Sequence, residues 1–200
     1  MITIIDYGAG NLHSVKNALD FLGEKSEITS DAKKILNADK VILPGVGAFG
    51  DAAAALRQSG LFDVIKEYAA AGAPMLGICL GLQLMFEESE ESPGVKGLGI
   101  FKGKIVKIPD CGLKIPHMGW NSITPVKNSR ILCGLGENPY MYFVHSYYLK
   151  AEDEAVVSAY TEYGTRLGIA VERDNVFATQ FHPEKSGETG MKLLKNFTAL

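Results

Sequence analysis

The most reactive side chain in this sequence is Cys79, set in Pro74-Met75-Leu76-Gly77-Ile78-Cys79-Leu80-Gly81-Leu82-Gln83. Glycines two residues before and two after it give G-x-C-x-G, a nucleophile elbow with sulfur in place of a serine oxygen. A nucleophile raised on a sharp strand-to-helix turn needs neighbours without side chains, so that the chain folds tightly and a substrate can approach. The first N–H groups of the following helix favour thiolate over thiol and can hold an oxyanion. A small cysteine that merely close-packs a strand against a helix would be written in the same letters. The pattern alone leaves both readings open.

The second candidate is Phe181-His182-Pro183-Glu184. Pro183 disfavours helix for His182, and residues two apart on an extended chain point to one side. Glu184 is therefore expected to bond one imidazole nitrogen of His182 while the other faces a nucleophile. An exposed turn at a strand end is the plain alternative. Gln83 lies one helical turn beyond Cys79 and faces the same way, with a solvated helix residue as its plain reading.

The elements that must position these groups follow from periodicity. Met1 to Asp6 reads as a strand covered on both faces, followed by a Gly-rich turn at Asp6 to Asn11. A helix from Leu12 ends near Gly23, with Leu12, Val15, Leu19 and Leu22 at helical spacing. The turn lacks the third glycine of a dinucleotide fingerprint, since His13 stands there. Lys40 to Leu43 is a second apolar strand running into the loop Pro44-Gly45-Val46-Gly47-Ala48-Phe49-Gly50. Asp51 can cap a helix through Ser59, and a further helix over Leu61 to Ala71 closes at Gly72. Pro74 to Ile78 is a third strand, with a helix expected from Leu80 to Glu88. Strands alternating with helices imply a mostly parallel sheet whose functional loops lie at the strands' C-terminal ends, which places the Pro44 to Gly50 loop beside Cys79.

After Glu91 the pattern changes to short strand-like runs at Gly103 to Ile108, Asn121 to Val126, Tyr140 to Leu149, Ala155 to Tyr160, Leu167 to Glu172 and Val176 to Gln180. A closing helix follows over Glu188 to Leu200. The expectation is an α/β fold, mostly parallel at its centre and flanked by helices, with a mixed or antiparallel extension in the second half. One domain is expected over residues 1–200.

Composition excludes several classes. With 46% hydrophobic and 22% charged residues the chain is an ordinary globule, and a net charge of −3 offers nothing to nucleic acid. No stretch is long and apolar enough for a bilayer, and the opening Met1-Ile2-Thr3-Ile4-Ile5 lacks the regions of a signal peptide, so a cytoplasmic location is expected. Three widely spaced cysteines and four histidines without paired spacing argue against a disulfide scaffold or a metal site.

The elbow G-I-C-L-G-L-Q-L together with F-H-P-E resembles the class I, or triad, glutamine amidotransferases, three-layer proteins with a mostly parallel central sheet. Five more segments narrow the resemblance: I-I-D-Y-G-A-G-N-L from Ile4, P-G-V-G-A-F from Pro44, P-H-M-G-W-N from Pro116, Y-F-V-H-S-Y from Tyr142 and F-H-P-E-K-S from Phe181. End to end, the chain is similar to the glutaminase subunits of imidazole glycerol phosphate synthases of histidine biosynthesis. That resemblance implies hydrolysis of glutamine to glutamate and ammonia by Cys79, His182 and Glu184, with no metal or organic cofactor. It implies an oxyanion hole from Leu80 N–H and one N–H of Gly45, Val46 or Gly47, where the Gly45-Val46 peptide is expected to reorient under control of the partner's ligand. Gln83, Glu91 and the backbone of His145, Ser146 and Tyr147 would contact glutamine, although Glu91 also reads as one acid of a polar loop and His145 as a packing residue. The implied partner is a (β/α)8-barrel cyclase subunit in a heterodimer. It would use the ammonia to make imidazole glycerol phosphate and an aminoimidazole carboxamide ribonucleotide. Asn11, Met118 and Trp120 are the implied interface residues, the last two otherwise readable as core. A glutaminase subunit of another synthase, such as that of pyridoxal phosphate, is the nearest alternative. Another cysteine hydrolase on the same scaffold follows, and a docking module without activity is the third.

Overall fold

A computed structural model describes residues 1–126 and 129–200. The first half alternates strand and helix: β1 (Ile2–Ile5), α1 (Leu12–Phe21), β2 (Ser26–Thr29), α2 (Ala32–Leu36), β3 (Lys40–Leu43), α3 (Phe49–Gln58), α4 (Leu61–Ala70), β4 (Met75–Ile78) and α5 (Leu80–Leu84). The second half adds the short β5 (Glu88–Ser89), β6 (Gly103–Lys107), β7 (His117–Ser122), β8 (Thr124–Pro125), β9 (Tyr140–His145), β10 (Tyr147–Ala151), β11 (Val157–Glu162), β12 (Arg166–Arg173), β13 (Val176–Thr179) and the closing α6 (Gly187–Thr198).

The main sheet runs β2-β1-β3-β4-β13-β12-β10-β6-β5, parallel from β2 through β13 and antiparallel where β12 joins β13 and β10 joins β12 and β6. Strands β7 and β9 form a separate antiparallel pair. The central strands are buried on both faces and sort their side chains by period two. Val41, Leu43, Met75, Val176 and Ala178 pack on the face covered by α3 and α4. Ile42, Leu76, Ile78 and Phe177 pack on the face covered by α1 and α6. In α6 Leu194 and Phe197 are fully buried, and truncating such a side chain costs about 2–5 kcal/mol.

Four expectations need correction. The helix after Cys79 stops at Leu84, because the carbonyls of Leu84, Met85 and Phe86 accept from Leu98, Phe101 and Gly99 on a returning loop and cannot continue the helix. Asp51 lies in the first turn of α3 and does not cap it; the free N–H groups of Phe49 and Gly50 go instead to Glu91 Oε2 at 2.7 Å and Ser92 Oγ at 3.0 Å. The run Asn121 to Val126 divides between β7, which begins earlier at His117, and β8. Tyr140 to Leu149 breaks at Ser146 into β9 and β10, which belong to different sheets. β2 and α2 carry no strong sequence pattern and were not expected.

Candidate active site

Three adjacent parallel strands deliver the candidate groups to one edge. β3 releases Pro44-Gly45, β4 releases Cys79, and β13 releases Gln180-Phe181-His182. Leu43 pairs with Gly77 and Ile78 with Thr179, and Cys79 N–H donates to the Thr179 carbonyl at 2.8 Å. The long separation in sequence between cysteine and histidine is closed by this register.

Cys79 adopts φ 56° and ψ −110°, a backbone conformation in the left-handed region at a residue that carries a side chain. Such a conformation is held only where the surroundings over-determine it, and they do so here. A Cβ on Gly81 would stand 1.9 Å from the Leu43 carbonyl oxygen, and one on Gly45 would stand 2.8 Å from the Tyr7 hydroxyl and 2.9 Å from Gly81 N. The elbow and the Pro44–Gly47 loop therefore touch backbone to backbone. The Tyr7 hydroxyl donates to the Pro44 carbonyl at 3.1 Å, and burial, with the charge of Cys79 second, raises its pKa.

His182 is 2% exposed, which removes the exposed-turn alternative. Its Nδ1–H donates to Glu184 Oε1 at 2.8 Å, as expected, but through a turn of 3-10 helix over Pro183–Lys185 and not by alternation along a strand. Ser186 fixes that turn, donating to His182 O at 2.6 Å and accepting from Tyr142 N–H at 2.9 Å. His182 Nε2 is buried and, among the described residues, has no hydrogen-bond partner within ordinary distance, which leaves it free to face the Cys79 side chain. Burial works against charging the ring, but coupling to the Cys79 side chain and to Glu184 outweighs it and pushes the pKa up to about 10.

A cavity of about 300 Å³ opens in front of these groups. Val46, Gly47, Cys79, Leu80, Gln83, Glu91, His145, Ser146, Tyr147 and His182 line it, whereas Gly45 and Glu184 do not. Gln83 is buried, not solvated, with Nε2 donating to Gln180 Oε1 at 3.0 Å and Tyr147 O at 3.4 Å. Glu91 reaches the cavity while accepting from Phe49 N–H. Asn11, Met118 and Trp120 are outside the cavity. Asn11 Oδ1 caps α1 by accepting from Ser14 N–H at 3.4 Å, and Met118 and Trp120 are 62% and 55% exposed, so neither is a core residue. Among the described residues no three His, Cys, Asp or Glu side chains gather into a metal site, and no helix is long and apolar enough to cross a membrane.

Sequence reasoning missed two features. Gln180 is fully buried, with Nε2 3.7 Å from Cys79 Sγ. His145 is paired with His117, directly opposite it across β7 and β9. His145 Nδ1–H must donate to the Tyr147 carbonyl at 2.9 Å, so its Nε2 accepts from His117 Nδ1–H, also at 2.9 Å. His117 Nε2 in turn faces Asn121 Nδ2 at 3.3 Å. Burial lowers the pKa of His117 to about 4 and that of His145 to about 3. The aromatic run around His145 signals packing but not its partner, and Gln180 offered no signal beyond its closeness to His182.

The class-I glutamine amidotransferase family profile matches residues 3–200. The chain is 53% identical over 197 residues to the imidazole glycerol phosphate synthase subunit HisH of Caldanaerobacter subterraneus, covering 98% of this chain and 97% of that one. It is 49% identical over 200 residues to the subunit of the same name from Methanocaldococcus jannaschii, covering all of both chains. Among solved structures, a glutamine amidotransferase superposes with TM-score 0.77 at 20% identity, covering 100% of this chain and 98% of that one. PurLQS from Thermotoga maritima does so with TM-score 0.78 at 22% identity, covering 99% and 97%. A family profile spanning nearly every residue and half-identity over full length make the assignment: the chain belongs to the class-I glutamine amidotransferases and, within them, to the HisH subunits of imidazole glycerol phosphate synthase.

Proposed function

We propose that this glutaminase acts through Cys79, His182 and Glu184 as one domain over residues 1–200. The observation that carries the reading is the strained Cys79 at the end of β4 with a buried His182–Glu184 pair arriving from the neighbouring strand. A charged imidazolium is the partner a thiolate nucleophile needs. The sulfur attacks the side-chain amide carbon of glutamine, and Leu80 N–H with one N–H of the Gly45 to Gly47 loop receives the oxyanion. His182 gives its proton to the departing ammonia, then takes one from the water that hydrolyses the thioester, while Glu184 holds the ring and its charge. Gln83, Glu91 and the Ser146–Tyr147 backbone contact the substrate. His145 contributes its backbone and its wall, since both ring nitrogens are already engaged. The Pro44 carbonyl is held by Tyr7 and Gly45 is closely packed, whereas Val46 and Gly47 are exposed, so reorientation of the loop is expected on the Val46 side.

Ammonia is largely protonated at neutral pH and must be delivered directly. The proposed recipient is a (β/α)8-barrel cyclase subunit, bound as a heterodimer through exposed Met118 and Trp120 on β7 and through the Asn11 turn. A cytoplasmic location belongs to the same proposal. The test is glutamate release from glutamine by the chain alone and with the cyclase plus its nucleotide. Release that rises in the complex and falls to background in Cys79→Ala supports the activity, the nucleophile and the partner. No stimulation by the cyclase removes the partner, and activity persisting in the variant removes Cys79.

A further inference from the structure

Gln180 stands on the step between β13 and the histidine turn. It is fully buried, and its carboxamide touches two groups of the site: Oε1 accepts from Gln83 Nε2 at 3.0 Å, and Nε2 lies 3.7 Å from Cys79 Sγ. A backbone atom decides which end of the amide faces the sulfur. The Tyr147 carbonyl can only accept, so the Gln83 atom 3.4 Å from it is the amide nitrogen. The Gln180 atom receiving that same nitrogen is then its oxygen, which turns the Gln180 N–H toward the sulfur. Both partners are held through β13, with Cys79 N–H bonded to Thr179 O at 2.8 Å from the β4 side and Gln180 N–H to Ile169 O at 2.8 Å from the β12 side.

We propose that Gln180 is a further catalytic residue of the glutaminase, its side-chain N–H donating to the Cys79 sulfur whenever that sulfur carries negative charge. The inference rests on Cys79 being the nucleophile. Before attack the donor stabilises the thiolate. When the carbon–sulfur bond forms and ammonia leaves with the His182 proton, the thioester sulfur is neutral and the bond to Gln180 weakens. When water adds and gives its proton to His182, the carbon–sulfur bond breaks, its electron pair returns to sulfur, and the donor stabilises the leaving group. Loss of Gln180 therefore slows thioester hydrolysis more than thioester formation.

The titratable groups around the sulfur are His182 backed by Glu184, Tyr7 beyond β1, Glu91 across the cavity, His145 on β9 and Tyr147 at the start of β10. Gln180 differs from all of them in having no titration of its own. Its contribution displaces the pH profile of the sulfur without adding a new inflection.

The experiment uses the full chain with Gln180→Met, which keeps length and removes the donor, and Gln180→Glu, which puts a carboxylate in its place. Iodoacetamide labelling of Cys79 is followed by mass spectrometry across pH, and glutamine turnover in the cyclase complex is quenched to measure the glutamyl thioester. For Gln180→Met the acid limb of the labelling profile is expected to move up by about one unit, about tenfold in rate on that limb. Gln180→Glu is expected to move it further, and the thioester should accumulate in both. Profiles that coincide with the parent chain, with no accumulation, overturn the proposal. If circular dichroism shows that Gln180→Met has not folded, Gln180→Glu, still able to accept from Gln83, decides alone. Cys111 and Cys133 are exposed and label on their own account, so only the Cys79 peptide is read: Cys79 left unlabelled in the parent chain overturns the nucleophile and this inference together, whereas labelling at Cys79 with unmoved profiles overturns the role of Gln180 only.

Discussion

Two histidines line the same cavity, both almost fully buried, and their basicities are driven in opposite directions. His145 is pushed down to about 3 and His182 up to about 10. Burial lowers both, so it cannot be the difference. What differs is the company each ring keeps. His145 hands its one proton to a backbone carbonyl and accepts from a neutral His117, and the charged His182 nearby discourages a second cation. His182 meets a buried carboxylate at 2.8 Å and a cysteine side chain that can carry negative charge. Anions within contact distance outweigh desolvation at one site, and their absence around the other leaves a structural imidazole that does not titrate near neutrality.

The sharpest way to break the contrast is Glu184→Gln, which keeps the hydrogen bond and removes the charge. His182 should then lose much of its elevated basicity, and kcat/KM for glutamine should fall by about 10²–10⁴-fold. Steady-state kinetics with imidazole NMR read both effects. A variant that keeps activity while its His182 titration collapses would separate the charge of the ring from catalysis.

The converse experiment gives His145 the company of His182. In His117→Asp a carboxylate oxygen takes the place of Nδ1, 2.9 Å from His145 Nε2. His145 is expected to become protonated near neutral pH, an upward movement of several units measured by NMR. No movement would mean that burial, not the partner, sets its state.

The same contrast explains what could be read in advance. The elbow and the His182–Glu184 pair were legible because each is local: glycines around Cys79 report a tight turn, and Pro183 between His182 and Glu184 reports a fixed short spacing. The parallel half was legible because its strands are short apolar runs between amphipathic helices. The His117–His145 pair was not, since it exists only through the register of β7 on β9, and nothing local fixes the pairing of distant strands. Gln180 escaped for a related reason: a lone polar residue beyond an apolar strand looks solvated until the neighbouring strand buries it. β2 is a half-buried edge of four residues and α2 a single short turn capped by Asp31, both too short for periodicity to register. The end of α5 at Leu84 is set by carbonyls taken by the 98–101 segment, a tertiary competition that helix propensity does not contain.

The smallest expected effect is in stability, where the two sites occupy separate pH windows. His182 has a raised folded pKa, so its contribution is complete below about pH 6.5 and is lost as pH rises toward 10. His117 and His145 have lowered folded pKa values, so their contribution is present above about pH 6.5 and is lost as pH falls toward 4. Between those limits the unfolded chain takes up two protons that the folded chain refuses, each weakening the fold by up to about 1.4 kcal/mol per pH unit. His182 is protonated in both states over that range and adds nothing to the slope. His117→Asn places an amide where Nδ1 stood, preserves a donor to His145 and removes one of the two protons. Urea unfolding from pH 6.5 to 4.5 should therefore show a shallower acid loss than the parent, by up to about 1.4 kcal/mol per pH unit. An unchanged slope would assign acid lability to groups other than this pair, and a slope reduced to nothing would mean that His145 had charged along with its partner's removal.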